Sequence, residues 1–90
     1  MNIKVEITQE DIDNGVKDSP YGLPTALAVK RTMPLGAEVK ILGDLLYIDG
    51  YTYEYLLRLP RAAVEFELQY RYGGSPKPFT FTLTNKDIVR

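Results

Sequence analysis

Apolar and polar residues alternate from the start of the chain: Ile3, Val5 and Ile7 are separated by Lys4 and Glu6. That period of two predicts a strand with one buried face. Thr8 follows, with Asp11 three residues later. A hydroxyl for an orphan helix N–H and an acid at the positive helix end make a start resembling a capping box. The short helix it opens, through Ile12, is expected to end at Gly15 in a left-handed cap. Lys17-Asp18-Ser19-Pro20-Tyr21-Gly22-Leu23-Pro24 is turn chemistry throughout. Pro24 suits the first position of a second helix, where its missing N–H costs nothing. Ala26, Val29 and Met33, with Leu27 beside them, give that helix an apolar stripe. Lys30 and Arg31 place cations in its last turns, and Pro34 stops it.

The middle of the chain reads as a meander. Two-residue turns at Gly43-Asp44 and Asp49-Gly50 would join strands near 38–42, 45–48 and 51–55, with positive φ at the central residues. Counting outward from those turns puts Val39, Ile41, Leu46, Ile48, Tyr51 and Tyr53 on one face. The other face receives Glu38, Lys40, Leu42, Leu45, Tyr47, Thr52 and Glu54. The first set is uniformly apolar or aromatic, so it is the core face.

Residues 60–72 support two readings. Val64, Phe66, Leu68, Tyr70 and Tyr72 alternate with polar residues as in a strand. Pro60, Ala62-Ala63, the closing Gly73-Gly74 and a stripe of Leu59, Ala63, Phe66 and Tyr70 fit a helix, which is preferred. Phe79, Phe81 and Leu83 alternate with threonines, predicting a last strand beside the first. The expected fold is α+β: a small antiparallel sheet, built from the meander and the terminal strands, with two to three short helices.

Ninety residues make a single domain, 1–90, with 44% hydrophobic and 26% charged residues, ordinary for a soluble globular protein. The net charge of −1 argues against nucleic acid as a partner. No apolar run long enough to span a membrane and no secretion signal is legible, so a cytoplasmic location is expected. With no His and no Cys, neither a Ser–His or Cys–His nucleophile pair nor a conventional zinc site can form. Carboxylate pairs such as Glu10/Asp11 and Glu65/Glu67 read as caps and solvated faces. The expectation is a binding protein and no enzyme, with no cofactor and no metal.

Two places have binding chemistry. The turn from Asp18 to Thr25 delivers the chain into a helix N-terminus, whose free N–H groups and dipole attract anions. A phosphate there would meet Ser19, Tyr21 and Thr25, with Lys30 or Arg31 contributed by a neighbouring chain. Tyr70 and Arg71 offer a stacking ring and a guanidinium. The second place is the sheet face carrying Leu42, Leu45 and Tyr47, which is an interface candidate if nothing in the chain covers it.

Ile7-Thr8-Gln9-Glu10-Asp11-Ile12, then Leu23-Pro24-Thr25-Ala26-Leu27-Ala28, resembles the start of a family of small bacteriophage accessory proteins that read I-T-x-x-D-I and C-P-I-A-L-A. Leu59-Pro60, Phe66, Gly73-Gly74 and Pro78-Phe79-Thr80-Phe81-Thr82-Leu83 resemble the family's L-P…F…G…P-F-x-F-x-L half. Leu23 stands where that family often has Cys. The resemblance implies a phage accessory protein in the host cytosol, with counter-defence as its kind of role. The expectation is therefore a homo-oligomer that sequesters a nucleotide-type anion. The alternative is an inhibitor or adaptor that binds a host defence protein through the exposed sheet face.

Overall fold

A computed structural model describes residues 2–89. The chain runs β1 (Asn2–Ile7), α1 (Gln9–Asn14), α2 (Pro24–Thr32), β2 (Glu38–Leu42), β3 (Leu45–Asp49), β4 (Glu54–Arg58), α3 (Arg61–Arg71) and β5 (Phe79–Thr84). A 3-10 turn at Asn85–Asp87 follows. The class is α+β, and the strands form two small antiparallel sheets, β1-β5 and β2-β3-β4. Val5 lies opposite Phe81 and Ile3 opposite Leu83, so the terminal strands do pair. Among the described residues, their hydrogen-bonded link to the meander is the segment after β5, where Ile88 bridges Leu57 and the Val89 N–H donates to the Leu56 carbonyl at 2.8 Å.

The core lies between these layers. Val5, Ile7, Phe81 and Leu83 come from the first sheet, and Val39, Ile41, Leu46, Ile48 and Leu57 from the meander. Ala26 and Val29 of α2 and Ala63, Phe66 and Tyr70 of α3 complete it. Side chains such as Leu46 and Leu57 are fully buried, each stabilising the fold by roughly 1.5–3 kcal/mol.

The segment after Pro60 is a helix, and its stripe of Leu59, Ala63, Phe66 and Tyr70 is buried. A strand would also have buried Leu68 and Tyr72, which are exposed. Gly73, at φ 83°, ends α3 in a Schellman turn, with the Gly74 N–H donating to the Gln69 carbonyl at 2.8 Å. The end of α1 differs from expectation. Gly15 is extended, at φ −65° and ψ 152°, and glycine is needed there for room: a Cβ would meet the Tyr70 hydroxyl and the Pro24 ring.

The meander also departs from the sequence reading at its second turn. Leu42 faces Leu45, so Gly43-Asp44 is a two-residue turn, with positive φ at Gly43 alone, as a II′ turn requires. Asp49, however, faces Glu54, so residues 50–53 form a four-residue loop closed by the Gly50 N–H on the Tyr53 carbonyl at 2.8 Å. β4 therefore begins later than the expected 51–55, and its partner of Ile48 is Tyr55, not Tyr51. Tyr51 is 90% exposed instead of buried, Thr52 is in the loop, and Tyr53 is half-buried against Gly50. The slip is by an even number of residues, so odd positions still face the core and Glu54 still faces out.

Candidate functional site

The helix end expected to receive an anion has a carboxyl of the same chain beside it. Leu23, the N-cap of α2, supplies no side-chain hydrogen bond. The Glu67 carboxyl of α3 lies beside Thr25 in the first turn of α2 instead, and the residue is only 3% exposed. Burial pushes its carboxyl pKa up, and the Thr25 hydroxyl, the Arg71 charge and the Thr25 N–H offset part of that rise. Even so, neither Glu67 oxygen nor the Thr25 hydroxyl closes a hydrogen bond of good geometry. Tyr70 stands beside this group, its hydroxyl pKa raised by burial and by the Glu67 charge.

The residues expected to bind a phosphate are thus divided. Thr25, Tyr70 and Arg71 gather around Glu67, with Thr25 and Tyr70 buried. Ser19 is half-buried in its turn, where its carbonyl accepts from the Gly22 N–H at 3.1 Å. Lys30 and Arg31 lie toward the other end of α2, about 8 Å along the axis from Thr25. Arg31 is committed elsewhere. It donates to both Asp11 carboxylate oxygens at 2.6 and 2.8 Å and to the Glu6 carbonyl at 2.8 Å. Burial alone would raise the Asp11 pKa, but Arg31 and the Thr8 N–H and hydroxyl together hold it below the ordinary aspartate value.

The outer face of the meander is different. A cleft of about 670 Å³ lies over it. Lys40, Tyr47 and Leu56 make its floor, because they pair in one row across β2, β3 and β4. The Lys40 ammonium sits 4.9 Å from the Tyr47 ring centre, a cation–π contact. Tyr21 walls the β2 side, where the Pro20 carbonyl accepts from the Ile41 N–H at 3.0 Å. Ile88 and Val89 wall the β4 side. Both edges of the meander are thus engaged by the chain itself.

The next row along the strands is Glu38, Asp49 and Glu54, directly opposite one another and all lining the cleft. None of the three forms an ion pair with a described residue. Beyond them stand two exposed apolar side chains, Leu35 at 98% and Tyr51 at 90%, with the Tyr51 ring against Gly36. At the opposite end, Leu42 faces Leu45 beside the turn, and Arg58 pairs with Asp44 at 2.9 Å.

Of the expected interface, Tyr47 lines the cleft, while Leu42 and Leu45 lie beyond it near the turn. Tyr21, also among the expected ligand-binding residues, walls this cleft. Sequence reasoning missed Leu56 and the acidic row. Both depend on the register of β4, which the Asp-Gly signal misplaced. Neither a family model nor a curated protein nor a solved structure matches the chain.

Proposed function

We propose that this chain is a non-catalytic binding protein that engages a protein partner through the outer face of the meander. One observation carries the reading: a walled cleft whose floor is the Lys40-Tyr47-Leu56 row, on the meander face turned away from the core. Tyrosine suits such a surface, having an apolar ring and a hydrogen-bonding tip. The resemblance to small phage accessory proteins makes a host protein in the cytosol the class of partner, and counter-defence the kind of role. The nucleotide-sequestering reading has less support within one subunit, because Glu67 lies beside the helix end and Asp11 occupies Arg31.

The test is site-specific photocrosslinking in bacterial cells, with a benzophenone side chain at Tyr47 and, as control, at the exposed Tyr72 of the cap after α3. A discrete protein adduct at Tyr47 alone, lost on Leu56→Glu, supports the reading. Adducts equal at both positions, or none at Tyr47, overturn it. Native mass spectrometry with linear and cyclic nucleotides runs beside it, and a mass gain there would restore the sequestering reading.

A further inference from the structure

We infer that the segment seated on this face is basic: an arginine-rich stretch of the partner protein, its guanidinium groups over the Glu38-Asp49-Glu54 row. The inference rests on the reading of the outer face as the docking surface and adds the chemistry of what docks there. Like charges directly opposite on neighbouring strands repel and destabilise a sheet. Here three carboxylates stand opposite one another on three adjacent strands, and no described cation pairs with any of them. Lys40, the one cation among the described residues of the cleft lining, lies over the Tyr47 ring.

Geometry favours a polypeptide carrying several cations. Strand spacing of about 4.8 Å spreads the three carboxylates over roughly 10 Å. Side chains on one face of an extended segment recur about every 7 Å, so two successive guanidinium groups span the row. The carboxylates are not gathered for a metal ion, since no such group of three exists among the described residues. Arginine fits better than lysine, because its planar fork pairs with carboxylates and also stacks on rings such as Tyr47 and the exposed Tyr51. Leu35 and Tyr51, beyond the acidic row, give an apolar residue of the same segment something to lie against. A second copy of the chain is a poor occupant, because its own face would bring the same excess of acid over base.

The experiment is fluorescence anisotropy with a labelled nona-arginine peptide as probe, in buffer of moderate ionic strength. Glu38→Gln/Asp49→Asn/Glu54→Gln removes the row. Glu10→Gln/Asp13→Asn/Glu65→Gln removes the same charge from exposed acids elsewhere. The expected result is binding weakened at least tenfold by the first variant and less than threefold by the second, with nona-lysine weaker than nona-arginine on the intact protein. Equal weakening by both variants, or no binding by the intact protein, overturns the basic-partner inference. Circular dichroism of each variant separates loss of the row from loss of the fold. If the Tyr47 adduct forms in cells while the peptide fails, the inference about charge falls alone. If the adduct fails too, the docking face falls with it.

Discussion

The starts of α1 and α2 answer the same electrostatic demand in opposite ways. Each helix begins with unpaired N–H groups and a positive dipole end, and each receives a buried carboxylate. At α1 it is local: Asp11, 5% exposed, accepts from the Thr8 N–H at 2.9 Å, completes a capping box and takes both arms of Arg31. At α2 it comes from another helix: Glu67, equally buried, closes no regular hydrogen bond. The pKa shifts follow, downward for Asp11 and upward for Glu67. Burial pushes both carboxyl pKa values up, and at Glu67 it prevails. What decides is how many donors the neighbouring backbone and side chains aim at the carboxylate.

Breaking the better-served site has the largest expected effect. Asp11→Ala leaves the Thr8 N–H without its acceptor and Arg31 without its partner, so stability to urea at pH 7 falls by about 2–3 kcal/mol. The figure is below that for a fully buried pair because Arg31 is half exposed. Next is Gly15→Ala, which touches the other site. Its Cβ would lie 2.5 Å from the Tyr70 hydroxyl and 2.8 Å from Pro24 Cγ, forcing Tyr70 and α2 apart. A loss of about 2 kcal/mol by thermal or urea denaturation is expected, from overpacking and not from helix propensity.

Glu67→Gln sharpens the contrast. The neutral amide avoids a buried charge and can donate to or accept from the Thr25 hydroxyl, so stability at pH 7 rises by about 1 kcal/mol. The pH dependence gives the sign independently. The folded state raises the Glu67 pKa above its ordinary 4.5, so stability is greatest below that value and declines as pH climbs through the higher folded value. Asp11 does the reverse: its stabilisation is full above 3.8 and is lost as pH falls through the lower folded value. Urea titrations across this range should show Glu67→Gln flattening the decline above pH 4.5 and leaving the acid limb intact. An unchanged slope above pH 4.5 would mean that Glu67 is solvated in the folded protein.

These differences bear on what the sequence made legible. The Thr8–Asp11 capping box is visible because both partners lie within one turn, and the alternation of Ile3, Val5 and Ile7 against Phe79, Phe81 and Leu83 predicts the strands that pair. The core face of the meander is legible down to Leu46 and Ile48 for the same local reason. Glu67 is not legible as the partner of α2, because its place depends on how two helices pack across more than forty residues. Its pattern in the sequence, one acid among Glu65, Glu67 and Gln69, looks like a solvated face. The candidate site lies between these cases. Tyr47 is foreseeable from the first turn, whereas Leu56 and the acidic row follow only from the four-residue loop that replaces the expected Asp49-Gly50 turn.

That row extends the comparison to carboxylates that no described cation pairs with, and it gives the smallest expected effect. Asp49 has Glu38 on one side and Glu54 on the other, and none of the three carboxylates forms an ion pair with a described residue. Asp49→Asn should therefore stabilise the isolated protein by about 0.3 kcal/mol at low salt, and the gain should vanish near 1 M salt, where screening reaches about 3 Å. The sign is opposite to that at Asp11, although both positions are aspartates removed at the same pH. A paired set of urea curves at low and high salt measures it. A loss of stability on Asp49→Asn would show that the row is held by donors within the chain and has no need of a cationic partner. A salt-sensitive gain, together with weaker binding of the arginine peptide, would mark Asp49 as a residue whose unfavourable position in the free protein is useful only in a complex.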